Sequence, residues 1–221
     1  MSERREAGIP PSRFDAVLWD YGGIFTASPF AAAHAYARSQ DVAPDDMLRV
    51  VFGPYDTDTD HVWHQLERGE ISFADALARI KADAEANGFR FDSGEMFSMM
   101  VTDEIDRTLV VEAVRMVRAK GLRTAIVTNN IREYGDAWRG QYPLDELFDA
   151  IVDSCEEGVR KPDPAIFRTA LDRVSVDDAR RAIFLDDFPG NVAAAQAMGM
   201  RGILVGEDPT PALDELMSLI D

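Results

Sequence analysis

The sequence predicts an α/β protein with a doubly wound, Rossmann-like parallel sheet as its core and a helical cap subdomain inserted into that core. The first observation is that short apolar runs alternate with amphipathic helical segments, as expected because parallel strands need helical crossovers between them. The second is a long helix-forming stretch between the first two of these runs. With 221 residues, 46% of them hydrophobic, the chain can bury such a core without disulfides or a structural metal.

The core elements are expected in a regular order. The apolar run at 14–19 predicts a buried first strand, because it ends at Asp20 and is followed by two glycines of a turn. A helix at 109–119, closed by a glycine, precedes a second strand at 123–127. The later elements are a strand at 148–152, a helix at 164–173, a strand at 182–185, a helix at 191–198 and a strand at 202–205.

The stretch between the first and second strands has a different character. It is rich in helix formers and contains no strand-like run, and it predicts helices at 30–40, 45–52 and 72–87. A crossover of this length is expected to form a helical subdomain of its own. We therefore assign residues 1–27 and 105–221 to the α/β core and residues 28–104 to a helical cap.

Composition excludes several classes of partner. The chain has 23 Lys and Arg against 40 Asp and Glu, and its net charge of −17 repels nucleic acids and anionic lipids. We find neither a signal peptide nor the run of about 18 to 20 apolar residues that a membrane span requires. A lone Cys155 cannot form an intrachain disulfide, so the cytoplasm is the expected compartment. We expect a monomer or homodimer.

Polar residues follow the predicted strands, at the edge where open α/β sheets bind ligands. They are Asp20 after the first strand, Thr128 and Asn129 after the second, Lys161 in the segment after the third, and Asp186 and Asp187 after the fourth. Three carboxylates that converge there would repel one another without a cation, and Mg²⁺ prefers such oxygen ligands. The Lys161 ammonium and the Thr128 hydroxyl are suited to a phosphoryl group, which an Asp carboxylate can accept covalently. These residues predict Mg²⁺-assisted phosphoryl transfer through an aspartyl-phosphate.

In this order and spacing, the motifs resemble those of the haloacid dehalogenase superfamily. The matching segments are Leu18-Trp19-Asp20-Tyr21-Gly22-Gly23, Val127-Thr128-Asn129, Lys161-Pro162-Asp163, and Phe184-Leu185-Asp186-Asp187 with Asn191. The position of the cap is similar to that of the subclass with a small helical cap. That subclass includes sugar-phosphate phosphatases and the phosphatase-like domains of some epoxide hydrolase and acyl-CoA dehydrogenase chains.

The resemblance implies a role for each matching residue. Asp20 would be the nucleophile and a metal ligand, with the Gly22 carbonyl and Asp187 as further ligands. Asp186 would act on the metal indirectly, through a water molecule or by contacting the direct ligands. Thr128, with Asn129 beside it, would bind the phosphate. Lys161 would neutralise nucleophile and phosphate, and Asn191 would position Lys161.

One position departs from this pattern. Most phosphatases of the superfamily carry a second Asp two residues after the nucleophile, as general acid and base, whereas this chain has Gly22. We therefore expect a Mg²⁺-dependent phosphatase for a small phosphorylated metabolite, such as a sugar 1-phosphate or another activated phosphate whose leaving group needs little help. Two alternatives stay open: a 2-haloacid dehalogenase-type hydrolase, and a non-catalytic phosphate-binding or regulatory relative.

Several other residues have a weaker claim to a role. His61 and His64 lie in the predicted cap, where they could contact substrate or replace the missing acid, although packing is the favoured interpretation. Arg160 could either add charge near the phosphate or face solvent. Cys155 lies far in sequence from any His, which gives thiolate catalysis little support. Met96, Met99 and Met100 are expected to fill core between cap helices.

Overall fold

The central feature of the molecule is a parallel five-stranded sheet, seen in a computed structural model that describes residues 13–99 and 107–221. The strands of this described part are β1 (Ala16–Trp19), β2 (Arg123–Thr128), β3 (Ala150–Asp153), β4 (Ala182–Asp186) and β5 (Arg201–Leu204). Their spatial order is β3-β2-β1-β4-β5, so that β1 lies between β2 and β4. The chain therefore builds the sheet outward from β1, first to one side and then to the other.

Helices cover both faces of this sheet. The core helices are α6 (Thr108–Ala119), α7 (Leu144–Leu147), α8 (Ser154–Glu157), α9 (Pro164–Arg173), α10 (Pro189–Ala197) and α11 (Thr210–Ile220). Alternate residues of β1 point to opposite faces: Val17 and Trp19 pack in the cluster with α6 and α11, and Ala16 and Leu18 in the one with α9 and α10. Burial on both faces explains why the strands are continuous apolar runs.

The helices between β1 and α6 form a third apolar cluster. They are α1 (Pro29–Ser39), α2 (Pro44–Val51), α3 (Val62–Glu67), α4 (Phe73–Ala86) and α5 (Ser93–Ser98). Tyr36, Met47, Trp63 and Ile80 are among its buried members, and Ile131 joins them from the loop after β2. The expected border at 104/105, the first twelve residues and Met100 lie outside the described residues.

The observed elements follow the predicted order, with differences at their ends. The third strand begins at Ala150 rather than 148, because Phe148 is buried in the apolar cluster beside α6 instead of pairing in the sheet. The helix expected at 191 already begins at Pro189, a residue suited to the first helical turn. Five of the α-helices in the described part were not predicted, namely α3, α5, the four-residue α7 and α8, and the C-terminal α11. Among the described residues, no helix has the length and apolarity to cross a membrane.

A buried ion pair joins helices α1 to α5, here called the helical segment, to the part of the chain that forms the sheet. Glu67, the last residue of α3, accepts a 2.6 Å hydrogen bond through Oε2 from Nε of Arg160, which is fully buried. The other Glu67 oxygen accepts hydrogen bonds from the Tyr55 hydroxyl at 2.6 Å and from Trp63 Nε1 at 2.8 Å. The backbone carbonyl of Glu67 accepts from Ser154 Oγ at 2.6 Å. Arg160 therefore does not face solvent.

We predict that Glu67→Ala destabilises the protein strongly, because it leaves the Arg160 charge buried without its partner. The expected loss is about 3–5 kcal/mol in the free energy of unfolding, measured by urea denaturation. The control is Glu70→Ala, since the Glu70 side chain is 49% exposed in its pair with Arg68 and its removal should cost about 0–1 kcal/mol. Equal losses of unfolding free energy in the two variants would show that the buried Glu67–Arg160 pair does not stabilise the fold more than an exposed pair.

Candidate active site

The candidate site lies at the carboxyl ends of the adjacent strands β1 and β4. The strand order changes direction between them, because β2 and β3 lie on one side of β1 whereas β4 and β5 lie on the other. Trp19 pairs with Leu185 in the register of the two strands, and the Asp20 backbone N–H donates to the Leu185 carbonyl at 2.8 Å. This pairing brings Asp20 next to Asp186 and Asp187. Each of these three residues offers a carboxylate oxygen, and the three oxygens lie within 4.8 Å of one another. A crevice at such a reversal is where open α/β sheets bind ligands.

Lys161 lies between two of these carboxylates. Its Nζ atom is 2.6 Å from Asp20 Oδ1 and 2.7 Å from Asp186 Oδ2, and its side chain is 1% exposed. Asp20 Oδ1 also accepts a 2.7 Å hydrogen bond from the backbone N–H of Tyr21. Both donors reach Oδ1, so the second oxygen of Asp20 is engaged by neither of them.

Asp186 is held by more donors than either of its acidic neighbours. Asn191 Nδ2 donates to both Asp186 oxygens at 3.1 Å, and the Phe188 backbone N–H donates to Oδ1 at 2.8 Å. Asn191 is thus connected to Lys161 through Asp186, rather than through a direct contact of its own. Asp186 is 0% exposed and is fixed by these donors, so it is a rigid acceptor for the hydrogen bond from the Lys161 ammonium.

The charges of the site are not balanced. Burial raises the pKa of Asp20 well above its ordinary value; the Lys161 charge opposes this shift, and Asp186 and Asp187 add to it. Burial, with repulsion from Asp186, raises the pKa of Asp187 to about 6. Burial alone would lower the pKa of Lys161, but the charges of Asp186 and Asp20 raise it instead. Lys161 therefore stays protonated, and its single charge leaves the three carboxylates short of positive charge.

Gly23 makes room for Asp187. Its φ of +73° lies in the left-handed region, and a Cβ built on it would come within 2.0 Å of Asp187 Oδ2. Gly22 is different, because a Cβ there would meet only Pro29 Cδ at 4.0 Å. A side chain is therefore excluded at position 23 and sterically possible at position 22.

The residues at the carboxyl end of β2 lie beside the cluster of acidic residues. Thr128, the last residue of β2, is 4% exposed and lines the neighbouring cavity. The Asn129 side chain accepts a 2.8 Å hydrogen bond from the Lys161 backbone N–H and donates to the Lys161 carbonyl at 3.0 Å. Asn129 therefore fixes the backbone of the segment that carries Lys161.

Two cavities meet at the site. A small polar pocket of about 40 Å³ is lined by Asp20, Lys161, Asp187 and Asn191. A larger cavity of about 360 Å³ adjoins it, with Gly22, Pro29, Phe30, Tyr55 and Asn129 lining both. The aromatic residues around the larger cavity are Tyr21, Phe30, Phe52, Tyr55, Trp63, Phe97, Tyr134 and Trp138.

These aromatic residues were not predicted from the sequence to be part of the site. Five of the eight belong to residues 28–104, where no motif marks a ligand contact. Glu67, which also lines the larger cavity, was missed for the same reason. The Arg160-Lys161 pair was a usable signal, since a buried Arg needs a carboxylate partner.

His61 and His64 act as structural residues. His64 is fully buried and accepts a 3.0 Å hydrogen bond from the Thr59 backbone N–H through Nδ1, and burial lowers its pKa to about 3. His61 caps the N-terminus of α3 by accepting a hydrogen bond from the Trp63 backbone N–H at 3.1 Å. Burial also raises the pKa of the Cys155 thiol to about 12, which leaves it unreactive.

Comparison with curated proteins finds relatives whose names include phosphatases and hydrolases. The chain is 31% identical over 214 residues to acyl-CoA dehydrogenase family member 10 of Mus musculus, covering 94% of this chain and 19% of the relative. It is 30% identical over 212 residues to mouse bifunctional epoxide hydrolase 2, covering 90% of this chain and 37% of the relative. It therefore spans well under half the length of these two proteins.

A third relative is similar in length. The sesquiterpene phosphatase astK of Aspergillus oryzae is 26% identical over 198 residues, covering 86% of this chain and 89% of the relative. Among solved structures, a HAD family enzyme of Bacteroides thetaiotaomicron in complex with magnesium and inorganic phosphate matches with a TM-score of 0.58. It is 17% identical, and the match covers 88% of this chain and 96% of that one. At this identity the likeness establishes the fold alone.

The family model described as haloacid dehalogenase-like hydrolase matches residues 14–199, which include strands β1 to β4 and every residue of the acidic cluster. The order of elements, the parallel sheet and the match across most of the chain agree. The protein is a hydrolase that belongs to the haloacid dehalogenase-like family.

Proposed function

We propose that the protein is a Mg²⁺-dependent phosphatase that acts through an aspartyl-phosphate on a small phosphorylated metabolite with an apolar organic group. The observation that carries this proposal is the cluster of Asp20, Asp186 and Asp187, two of which pair with the Lys161 ammonium, beside an aromatic cavity. Three carboxylates with one cation would repel a phosphate, so the site needs a further cation before it can bind one.

The donor set fits a magnesium ion. Asp20, Asp187 and the Gly22 carbonyl would hold it, and Asp186 would contribute through water, because Mg²⁺ prefers oxygen ligands and keeps several waters. The raised pKa values of Asp20 and Asp187 support this assignment, since both groups lack compensating positive charge. When bound, the ion supplies charge that neutralises phosphoryl oxygens.

Each residue then has a defined task. The Asp20 oxygen that Lys161 and Tyr21 do not hold attacks phosphorus, and the bond from phosphorus to the ester oxygen breaks. Lys161 neutralises charge on Asp20 and the phosphoryl group, and the Thr128 hydroxyl donates to a phosphoryl oxygen. Water then attacks the aspartyl-phosphate, which restores Asp20 and releases phosphate.

We also propose that residues 28–104 act as the cap and select the substrate. Phe30, Phe52, Trp63 and Phe97 place apolar side chains from this segment around the larger cavity. A sugar needs several hydrogen-bonding partners, so these walls favour an apolar group over the sugar 1-phosphate expected from the sequence. The named activity of the sesquiterpene phosphatase relative supports this choice.

A dehalogenase is less consistent with the site. Haloacid substrates carry a carboxylate and release a halide, and both would be repelled by the cluster of acidic residues. The non-catalytic alternative depends on Gly22 and makes a different prediction, because it binds phosphate without turnover.

We predict that hydrolysis of an alkyl phosphate requires both Mg²⁺ and Asp20. Chelation with EDTA should abolish phosphate release, and Asp20→Asn should lower kcat by about 10³-fold or more, since it removes the nucleophile. The control is Asp15→Asn, the same change at an exposed carboxylate at the opposite end of β1. Phosphate binding without release by the wild type would favour the non-catalytic alternative.

We predict that Gly23→Ala weakens Mg²⁺ binding, measured by calorimetric titration, by about 10- to 100-fold, because the new methyl group displaces Asp187. Gly88→Ala is the matched control. Gly88 also has a positive φ, +85°, but a Cβ there meets nothing within 4 Å, so this variant reports backbone strain alone. Unchanged Mg²⁺ affinity in Gly23→Ala would exclude Asp187 as a ligand.

We predict that KM falls as the alkyl chain lengthens from ethyl to hexyl phosphate, by up to about fourfold per added CH₂ group. Phe97→Asn should raise the KM for hexyl phosphate about tenfold or more, since it removes an apolar wall of the cavity. Phe89→Asn is the control, because Phe89 packs in the same helical cluster but does not line the cavity. A preference for glucose 1-phosphate over hexyl phosphate would contradict the apolar assignment.

A further inference from the structure

The proposed phosphatase reaction needs a proton that position 22 cannot supply. When the ester bond breaks, the departing alkoxide must take up a proton, and the water that follows must lose one. Gly22 has no side chain to carry out either transfer. The proposed nucleophile Asp20 and metal ligand Asp187 are already committed to other tasks.

The position of the departing oxygen follows from the two cavities. A phosphoryl group in the small polar pocket and an apolar group in the larger cavity place the ester oxygen between them where the cavities meet. The residues that line both cavities are Gly22, Pro29, Phe30, Tyr55 and Asn129. Within that set, Tyr55 alone carries an ionisable proton.

The surroundings of Tyr55 suit a proton donor. Its hydroxyl donates to Glu67 Oε1 at 2.6 Å and accepts from Asn129 Nδ2 at 3.3 Å, which holds the oxygen in place. The Arg160 guanidinium carbon lies 4.5 Å from the centre of the Tyr55 ring, so a positive charge is close to any phenolate that forms. Glu67 keeps its hydrogen bonds to Trp63 and Arg160 if the Tyr55 proton turns away.

We propose that Tyr55 is the general acid and base of the reaction, replacing the carboxylate absent from position 22. As the P–O bond breaks, the departing oxygen keeps the bonding pair and takes the proton from the Tyr55 hydroxyl. The resulting phenolate accepts a proton from water while the water oxygen attacks phosphorus of the aspartyl-phosphate. The products are the alcohol and inorganic phosphate, and Tyr55 is protonated again.

Other ionisable groups nearby are less suitable. His64 lies 6.1 Å from Tyr55 between ring centres, but it is fully buried and lines neither cavity. Glu67 lines only the larger cavity, and Arg160 neutralises it. Burial, with the charge of Glu67, raises the pKa of Tyr55 well above its ordinary value, so the phenol is protonated when substrate arrives.

The test is the dependence of Tyr55→Phe on the leaving group. This proposal rests on the proposed function, so the wild type is first required to release phosphate with Mg²⁺. In rapid-quench experiments, we expect the first turnover of hexyl phosphate to slow by about 10²- to 10⁴-fold. The first turnover of p-nitrophenyl phosphate should stay near the wild-type rate, because nitrophenolate departs without a proton. Later turnovers should be slow, with phosphate retained on Asp20.

The possible outcomes separate the two proposals. If the wild type hydrolyses no phosphate ester, the proposed function fails and the role of Tyr55 fails with it. If the wild type is active but Tyr55→Phe slows both first turnovers equally, or neither, Tyr55 is not the acid. Tyr142→Phe is the control, because the Tyr142 hydroxyl donates to the Phe25 carbonyl at 3.0 Å and lines neither cavity. It should leave both rates unchanged.

Two further variants test the proposal independently, and the first of them keeps the test decisive if Tyr55→Phe folds poorly. Replacing Tyr55 by 3-fluorotyrosine preserves the ring and makes the phenol a stronger acid, which should speed the first turnover of hexyl phosphate alone. Gly22→Asp should raise the hexyl phosphate rate far more in Tyr55→Phe than in the wild type, since a Cβ at position 22 has open space. Equal gains in both backgrounds would overturn the proposal.

Discussion

The site depends on the buried ammonium of Lys161, which bridges the carboxylates that follow the two neighbouring strands β1 and β4. Three acidic side chains could not be brought so close with no positive charge among them. Lys161 is 2.6 Å from Asp20 and 2.7 Å from Asp186, while Asn129 fixes its backbone and Asn191 fixes the orientation of Asp186. The geometry is therefore set before substrate arrives, as electrostatic stabilisation requires.

Arg160, the residue before Lys161, also has a structural role. Arg160 and Lys161 are adjacent in sequence, yet one pairs with Glu67 of the helical segment and the other with the acids of the sheet. A displacement of this short stretch would disturb both pairs at once. The position of the helical segment over the site and the charge balance within the site are thus physically coupled through two consecutive residues.

Much of this arrangement could be predicted from the sequence, because the site residues occur at the ends of apolar runs that can be recognised as strands. Asp20 follows β1, and Thr128 and Asp186 are the last residues of β2 and β4. Parallel strands bring residues at these positions to one edge of the sheet whatever the details of the loops. Phosphate binding by Asn129 stays a prediction. The pairing of its side chain with the Lys161 backbone is an additional contact, which no spacing in the sequence could have indicated.

The helical segment could be predicted only in outline. Helix α3 has six residues, too few to show a period, and the tasks of Tyr55 and Glu67 arise from tertiary contacts across the chain. Arg160 was identified as a candidate, but its burial against Glu67 depends on how the helical segment packs on the core. Such contacts leave no mark in the spacing of residues.

Gly22 and Gly23 occur after Asp20 for different physical reasons, and this difference affects the proposed chemistry. Position 23 must be glycine because Asp187 occupies the space where a side chain would begin. Position 22 has no such constraint, so packing does not explain the absence of a carboxylate there. Gly22 lines both cavities, and a side chain at this point would narrow the passage between them. In the proposed mechanism, an open passage admits a bulky apolar group while Tyr55 supplies the proton from the cap, so that selecting the substrate and protonating its leaving group fall to the same segment.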